Sequence, residues 1–431
     1  MAKKSFFEEL VSFVTDFHPE TVPEEYRYFF LNYLAVTYSG SKEKAVSIAA
    51  KYAENENPGI FQPLGRKEKL SPAGCIRIDC FSSAIQAYDD IHFATTAHPC
   101  GPVASALLGI ARTRAVTLNE FLEALMVGME AECRTGILLF SNGSKGWYTT
   151  SVCGLIGAAA GCARLLELGR QQTENALALA ASYVCGNRGT HGAMAGSWMP
   201  AIAAEMGYEA ARLASLGFTC SPSAFDGALG MVNLVTENPA YEQALAGLGE
   251  ILISREVSCK PYPYGFISLG VLECLSQLKP HEDIQDVALE VSERAAMLGK
   301  NPYPSNMYEG FVSLPFITAR ALLNPARLYQ PLSEVIELSQ EEKALTAKIR
   351  IIPVSSYADD MAKVTVSGKD GTETIFCSEP SGSSKKPITE EQVIHKAEAL
   401  GLSEEFIHRL TDPEISSKNM IVFRGSELVI E

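Results

Sequence analysis

The sequence predicts a mostly α protein, with one large all-helical domain and a smaller α+β domain. Three observations carry that expectation. Apolar residues recur at helical spacing from the N-terminus to about residue 256. Two prolines and a glycine in SCKPYPYG, Ser258 to Gly265, then end the helical style, and segments with the two-residue period of strands follow. With 431 residues, 47% hydrophobic and 20% charged, the chain can bury a core large enough for two domains.

The elements follow in order. MAKKSFFEELVSFVTDF carries Glu8, Glu9 and Asp16 where a secretory signal needs an apolar run, so it reads as an amphipathic first helix and the protein is expected in the cytoplasm. Glu24 to Tyr38 has aromatic and aliphatic residues on one helical face, and Thr117-Leu-Asn-Glu120 is a capping box opening the helix FLEALMVGMEAECR. GLIGAAAGCARLLEL (Gly154 to Leu168) and AIAAEMGYEAARLASLGF (Ala201 to Phe218) are so rich in Gly and Ala that they must pack closely at the centre of a bundle.

Past a boundary near 257, AKIRIIPV (Ala347 to Val354) reads as a strand and AKVTVSGKDGTETIFC (Ala362 to Cys377) as a hairpin turning at Asp370-Gly371. VSLPFITARALL, Val312 to Leu323, is helical. SEPSGSSKKP, Ser378 to Pro387, reads as a flexible connector, after which Thr389-Glu-Glu-Gln392 caps a returning helix. The expected division is residues 1–256 with 388–431 for the helical domain and 257–387 for the mixed one.

Composition excludes several functions. With 36 basic against 51 acidic residues and a net charge of −15, the surface repels a phosphate backbone, so no nucleic-acid partner is expected. The longest apolar run, Thr150 to Ala163, falls short of the roughly 20 residues of a membrane span. Eleven cysteines without a Cys-x-x-Cys pair read as reduced core residues. Neither a Walker loop, a dinucleotide fingerprint, a Gly-x-Ser-x-Gly elbow nor a kinase motif occurs.

The chemistry-bearing residues are few. YDDIHFATTAHPCGPV sets Asp89 and Asp90 before His92 and His98, in a chain with seven histidines. An acid beside a histidine makes a general acid/base pair. The plainer reading has the acids capping the helix that starts near Pro99, and both readings stand on spacing alone. A metal site is not expected, because these residues lack a recognised ligand spacing. NGSKGWYTTSVCG brings Lys145, Tyr148 and two threonines to a helix start, where free N–H groups favour a carboxylate or an ordinary cap. GNRGTHGAMAGSWMP holds Arg188, His191 and Ser197 and reads mainly as a tight turn between packed helices, while CKPYPYG fixes Lys260 and Tyr262 between rigid X-Pro steps.

In this order, YDDIHFATTAHPCGPV, GWYTTSVCGLIGAAA, the Met194 to Gly217 helix, LGFTCSPSAFDGALG, CKPYPYG, SLPFITARALL and KVTVSGKDGTE resemble the MmgE/PrpD family over nearly the whole chain. That family includes 2-methylcitrate dehydratase, cis-aconitate decarboxylase and iminodisuccinate epimerase. The resemblance implies a helical domain of both chain ends, a smaller α+β lid, a homodimer, and catalysis without metal or organic cofactor. It carries over His98, the paired acids Asp89 and Asp90, and Lys260.

Departures from the family pattern place Tyr148 where a second histidine is usual, Gly196 about where a lysine is usual, and Leu269 where a histidine follows the Lys-Pro-Tyr-Pro block. Ile91 and Ala97 replace two threonines. A tricarboxylate would lose partners there, at several kcal/mol for each unpartnered anionic group. The expectation is a cofactor-free lyase on a smaller or more apolar carboxylic acid, with His98, Lys260, Tyr148 and Asp89 catalytic and Asp90, Tyr262, Arg188, Ser197 and Lys145 binding substrate. The alternatives are an epimerase with Tyr148 opposite His98, and a non-catalytic binding protein.

Overall fold

The computed structural model describes residues 5–412 and 419–431, so Met1 to Lys4 of the expected first helix lie outside the described residues. The chain forms two compact units: Met1–Ile85, Asp89–Val257 and Glu390–Glu431 make the first, and Gln86–Tyr88 with Ser258–Thr389 the second. Both chain ends belong to the first unit.

The first unit is built on nine principal helices: α1 (Phe6–Asp16), α2 (Glu25–Gly40), α3 (Lys44–Glu56), α4 (Pro72–Ala84), α5 (Cys100–Ala111), α6 (Leu118–Phe140), α7 (Thr149–Leu165), α8 (Arg170–Ser182) and α9 (Met194–Ser215). The Thr117 capping box forms, Glu120 N–H reaching the Thr117 hydroxyl at 3.2 Å and Thr117 N–H reaching Glu120 Oε2 at 2.8 Å. Helix α7 is the axle, packed by α5, α6 and α9 and buried at every residue but Arg164. Its small residues make that possible. A Cβ on Gly128 of α6 would stand 2.8 Å from the Gly157 carbonyl of α7, and one on Gly207 of α9 would stand 2.7 Å from the Leu155 carbonyl, so glycine sets both approaches.

Two details of this unit differ from the sequence reading. Helix α9 begins at Met194 and continues through Pro200, seven residues ahead of the Ala201 start, so much of the segment read as a turn is helical. Pro200 lies in the second turn, past the unpaired N–H groups of the helix start, so α9 lacks one i→i−4 hydrogen bond there. A C-terminal hairpin, Ile421–Arg424 against Glu427–Ile430, interrupts the all-helical character.

The second unit carries a four-stranded sheet in the order β2-β1-β3-β4, with β1 Asp286–Val291, β2 Ile349–Pro353, β3 Ala362–Gly368 and β4 Gly371–Cys377. Strand β2 runs parallel to β1, while β3 is antiparallel to both β1 and β4. The two-residue period sorts the faces: Leu289 and Val364 are register partners and both buried, whereas Thr365 and Thr374 pair hydroxyls at 3.0 Å on the open face. The hairpin loop is Lys369-Asp370, and Gly371 opens β4 at φ +110.

Helix α10 (Leu269–Gln277) covers β3 and β4, and α11 (Leu314–Leu323) packs on α10. The connector from Ser378 to Pro387 is more ordered than its composition suggests. Lys386 Nζ pairs with Glu273 at 3.1 Å, Ser383 is buried, and Gly382 lies against Pro261.

Candidate active site

His98 stands in the loop between β-like residues 90–91 and α5, and its backbone is held from two sides. The His98 N–H donates to the Thr150 hydroxyl at 3.1 Å, and the Thr149 hydroxyl donates to the Thr96 carbonyl at 3.0 Å, so the first turn of α7 latches the loop. Thr96 adopts φ +54, a conformation unfavourable for a β-branched residue and sustained here by those bonds and by His92 N–H on the Ala97 carbonyl at 2.8 Å.

The two acids divide their tasks. Asp89 places Oδ2 3.5 Å from His98 Nδ1. Asp90 reaches the same nitrogen with its main-chain carbonyl at 2.5 Å, while its carboxylate accepts the Cys100 N–H at 3.0 Å at the start of α5. Asp90 therefore caps the helix and Asp89 supplies the charge. Because a carbonyl oxygen only accepts, Nδ1 must carry the hydrogen, and in the neutral ring Nε2 carries the lone pair. A histidine with Nδ1–H so oriented and a carboxylate alongside is arranged to move a proton at Nε2.

Tyr148 precedes α7 and joins the cluster electrostatically: burial, and then Asp89, push its phenol well above the usual tyrosine range. It stays protonated and can donate but not act as a base. His191 packs edge-on against it, ring centroids 5.0 Å apart at 89°. Burial, then Arg188, then His98 hold His191 below the ordinary histidine range. His191 is nevertheless an exposed residue. Arg188 thus stands near both aromatic groups. The sequence shows His191 within a glycine-rich segment that reads mainly as a tight turn, which gives it no role; the scarcity of histidine is the signal that could have assigned it one.

The other expected residues lie elsewhere or have other partners. Lys145 pairs at the surface with Glu237 at 3.0 Å, both side chains more than half exposed, and does not join the His98 cluster. Ser197 donates its hydroxyl to the Ala84 carbonyl at 3.4 Å. His92 is buried, bonded through Nδ1 to the Thr95 hydroxyl at 2.9 Å, and kept neutral by burial, which lowers it to about 4. It shapes the 92–97 turn. Lys260 and Tyr262 belong to the second unit, where both are buried and the Tyr262 ring packs tilted against Tyr329, centroids 5.2 Å apart and planes at 39°. Among the described residues, no group of three His, Cys, Asp or Glu side chains is gathered as a metal site.

A helical unit presenting a carboxylate-held histidine at a helix mouth, beside a protonated tyrosine and a second imidazole, defines a class of acid–base site. The chain itself belongs to the MmgE/PrpD family: residues 8–244 match the MmgE/PrpD N-terminal domain and residues 262–403 the C-terminal domain. It is similar to a cis-aconitate decarboxylase of Aspergillus terreus, 23% identical over 427 residues and covering 90% of this chain and 86% of that protein. A cis-aconitate decarboxylase-like protein, oryM, of Aspergillus oryzae is 29% identical over 294 residues, 63% of this chain and 61% of its own. Human cis-aconitate decarboxylase is 22% identical over 395 residues, covering 86% and 81%. Among the described residues no helix is long and apolar enough to cross a membrane.

Proposed function

We propose that the protein is a cofactor-independent lyase that removes a small group, water or carbon dioxide, from a small carboxylic acid through a carbanion or enolate beside a carboxylate. The observation that carries the reading is the Nδ1–H of His98 on the Asp90 carbonyl, with Asp89 alongside, which leaves Nε2 as the proton-transfer atom. Tyr148, held protonated, supplies a hydrogen bond to negative charge developing on oxygen. Family membership and the decarboxylases among the relatives support the lyase class.

The substrate we propose is less anionic than a tricarboxylate. In the helical unit Gly196 has no side chain to offer, and Lys145 stands at the surface beside Glu237. Methylcitrate and cis-aconitate would leave carboxylates short of partners here. Epimerisation is the second reading, favoured by the second imidazole near His98. A homodimer in the cytoplasm belongs to the same proposal and is checked by sedimentation and fractionation.

The test is turnover. Purified protein is offered hydroxy, unsaturated and amino mono- and dicarboxylates in D₂O and followed by NMR, with His98→Gln in parallel. The expected result is product formation that falls by about a hundredfold or more in the variant; undiminished turnover in His98→Gln defeats the reading. Inversion without loss of water or carbon dioxide selects the epimerase.

A further inference from the structure

Two histidines of the helical unit have opposite electrostatic surroundings, and the reading above uses only one. His191 follows the turn Arg188–Thr190, which is fastened to the start of α7 by Arg188 N–H on the Gly146 carbonyl at 2.8 Å and Tyr148 N–H on the Gly186 carbonyl at 3.3 Å. Its ring stands edge-on to Tyr148. Gly196 makes room for it: a Cβ there would lie 3.3 Å from the Thr190 carbonyl and 3.6 Å from His191 Cδ2, so a longer side chain would compete for the same space.

Tyr148 from the α7 start packs on His191, and Arg188 from its own turn and His98 from the 90–98 loop act on it electrostatically. Burial, then a guanidinium and a second imidazole, disfavour a proton on His191, whereas the Asp89 carboxylate 3.5 Å from Nδ1 favours one on His98. Titratable pairs whose surroundings push them apart are how one site holds an acid and a base at the same pH. The exposure of His191 suits a group that must reach a substrate and then lose its proton.

We propose that His191 is a catalytic residue, the neutral base of the site, with His98 as its acid; this rests on the lyase reading above. The C–H bond next to the substrate carboxylate breaks, its proton goes to a ring nitrogen of His191, and the electron pair is held as an enolate. The C–O bond of the neighbouring carbon then breaks, and the departing hydroxyl takes the Nε2 proton of His98 imidazolium to leave as water. His98 keeps its Nδ1–H on the Asp90 carbonyl throughout. Decarboxylation asks only for protonation of a carbanion, whereas elimination of water asks for a matched base and acid. The substrate class is therefore a β-hydroxy acid.

Wild type, His191→Phe and His98→Gln are incubated in D₂O with (S)-malate, citramalate and 3-hydroxybutyrate, following deuterium beside the carboxylate and unsaturated product by NMR. Phenylalanine keeps a ring against Tyr148, and thermal melts check the fold. Expected is a loss of about a hundredfold in both exchange and product for His191→Phe, with exchange retained but product lost in His98→Gln. Exchange at the wild-type rate in His191→Phe overturns the assignment while leaving the lyase reading intact.

If wild type turns over none of these acids, the lyase reading fails on this panel and histidine ring NMR tests the charge assignment separately. A His191 signal titrating below the ordinary histidine range, and moving up in His98→Gln, supports it. Titration at or above that range overturns it.

Discussion

Glu130 and Glu132 lie two residues apart on α6, both completely buried, and they meet opposite fates. Glu130 binds Arg134 Nε at 2.7 Å, the Ile253 and Ser254 N–H groups at 3.2 and 2.8 Å, and the Ser254 hydroxyl at 2.7 Å. Arg134 in turn donates to the Ala244, Ala246 and Ile251 carbonyls, stitching the 244–254 segment to the helix. Among the described residues Glu132 has no hydrogen-bond partner on either oxygen, and it lies against Gly157 of α7, where a Cβ would stand 2.8 Å from Oε2. Burial first, then Asp90, raises its carboxyl well above the usual range, so it is held as the neutral acid. One face of α6 stores a satisfied ion pair, and the other tolerates an acid by keeping its proton. Burial alone thus says little about a charge; the partners decide.

Breaking the satisfied face has the largest expected effect. Arg134→Met leaves Glu130 buried without its cation and is expected to lower stability by about 3–5 kcal/mol in urea titration. A loss under 1 kcal/mol would mean that the backbone and Ser254 donors suffice.

His92 gives the next effect, and it depends on pH. Its folded value of about 4 lies below the ordinary 6.5, so between those limits the unfolded chain binds a proton that the folded chain refuses. Stability should fall as pH drops through that window, by up to about 3 kcal/mol. His92→Gln should flatten this segment of the pH–stability curve; an unchanged slope would relocate the effect to other groups.

Glu132 should behave with the opposite sign. Its folded carboxyl keeps a proton that the unfolded one loses above its ordinary 4.5, so stability declines as pH rises from there. Glu132→Met is expected to be more stable than wild type by about 1–3 kcal/mol at pH 8, with the gap closing near pH 4. Equal stability at both pH values would contradict the neutral buried acid.

The smallest effect is expected at Lys145. Its pair with Glu237 is solvated, and Lys145→Ala should change stability by less than about 0.5 kcal/mol. Turnover should also be unaffected, separating this lysine from the His98 cluster.

Much of the architecture was legible because burial leaves a periodic mark on a chain. The Thr117 cap, the small-residue helix α7, the strand at Ile349–Pro353 and the β3–β4 hairpin all follow from local pattern and turn chemistry. The late hairpin at Ile421–Ile430 was overlooked, although IVFRGSELVI alternates and turns at Gly425-Ser426, because it follows helices at a chain end. Of the site, His98 and the paired acids were visible as a dense cluster of scarce residue types. Their division of labour was not.

By itself the sequence determined where most of the helices and strands form, that α7 must be enclosed, and that His98 has carboxylates within reach, since each follows from spacing along the chain. Only the tertiary structure decided that Asp89 offers His98 its charge while Asp90 offers a carbonyl and caps α5. It also decided that a distant glycine-rich turn carries His191 onto Tyr148, and that Lys145 faces water. The reason is physical. Periodicity records which side of an element is buried, but a hydrogen bond depends on atoms placed to within a few tenths of an ångström, and that placement exists only once the loops have closed on the packed helices.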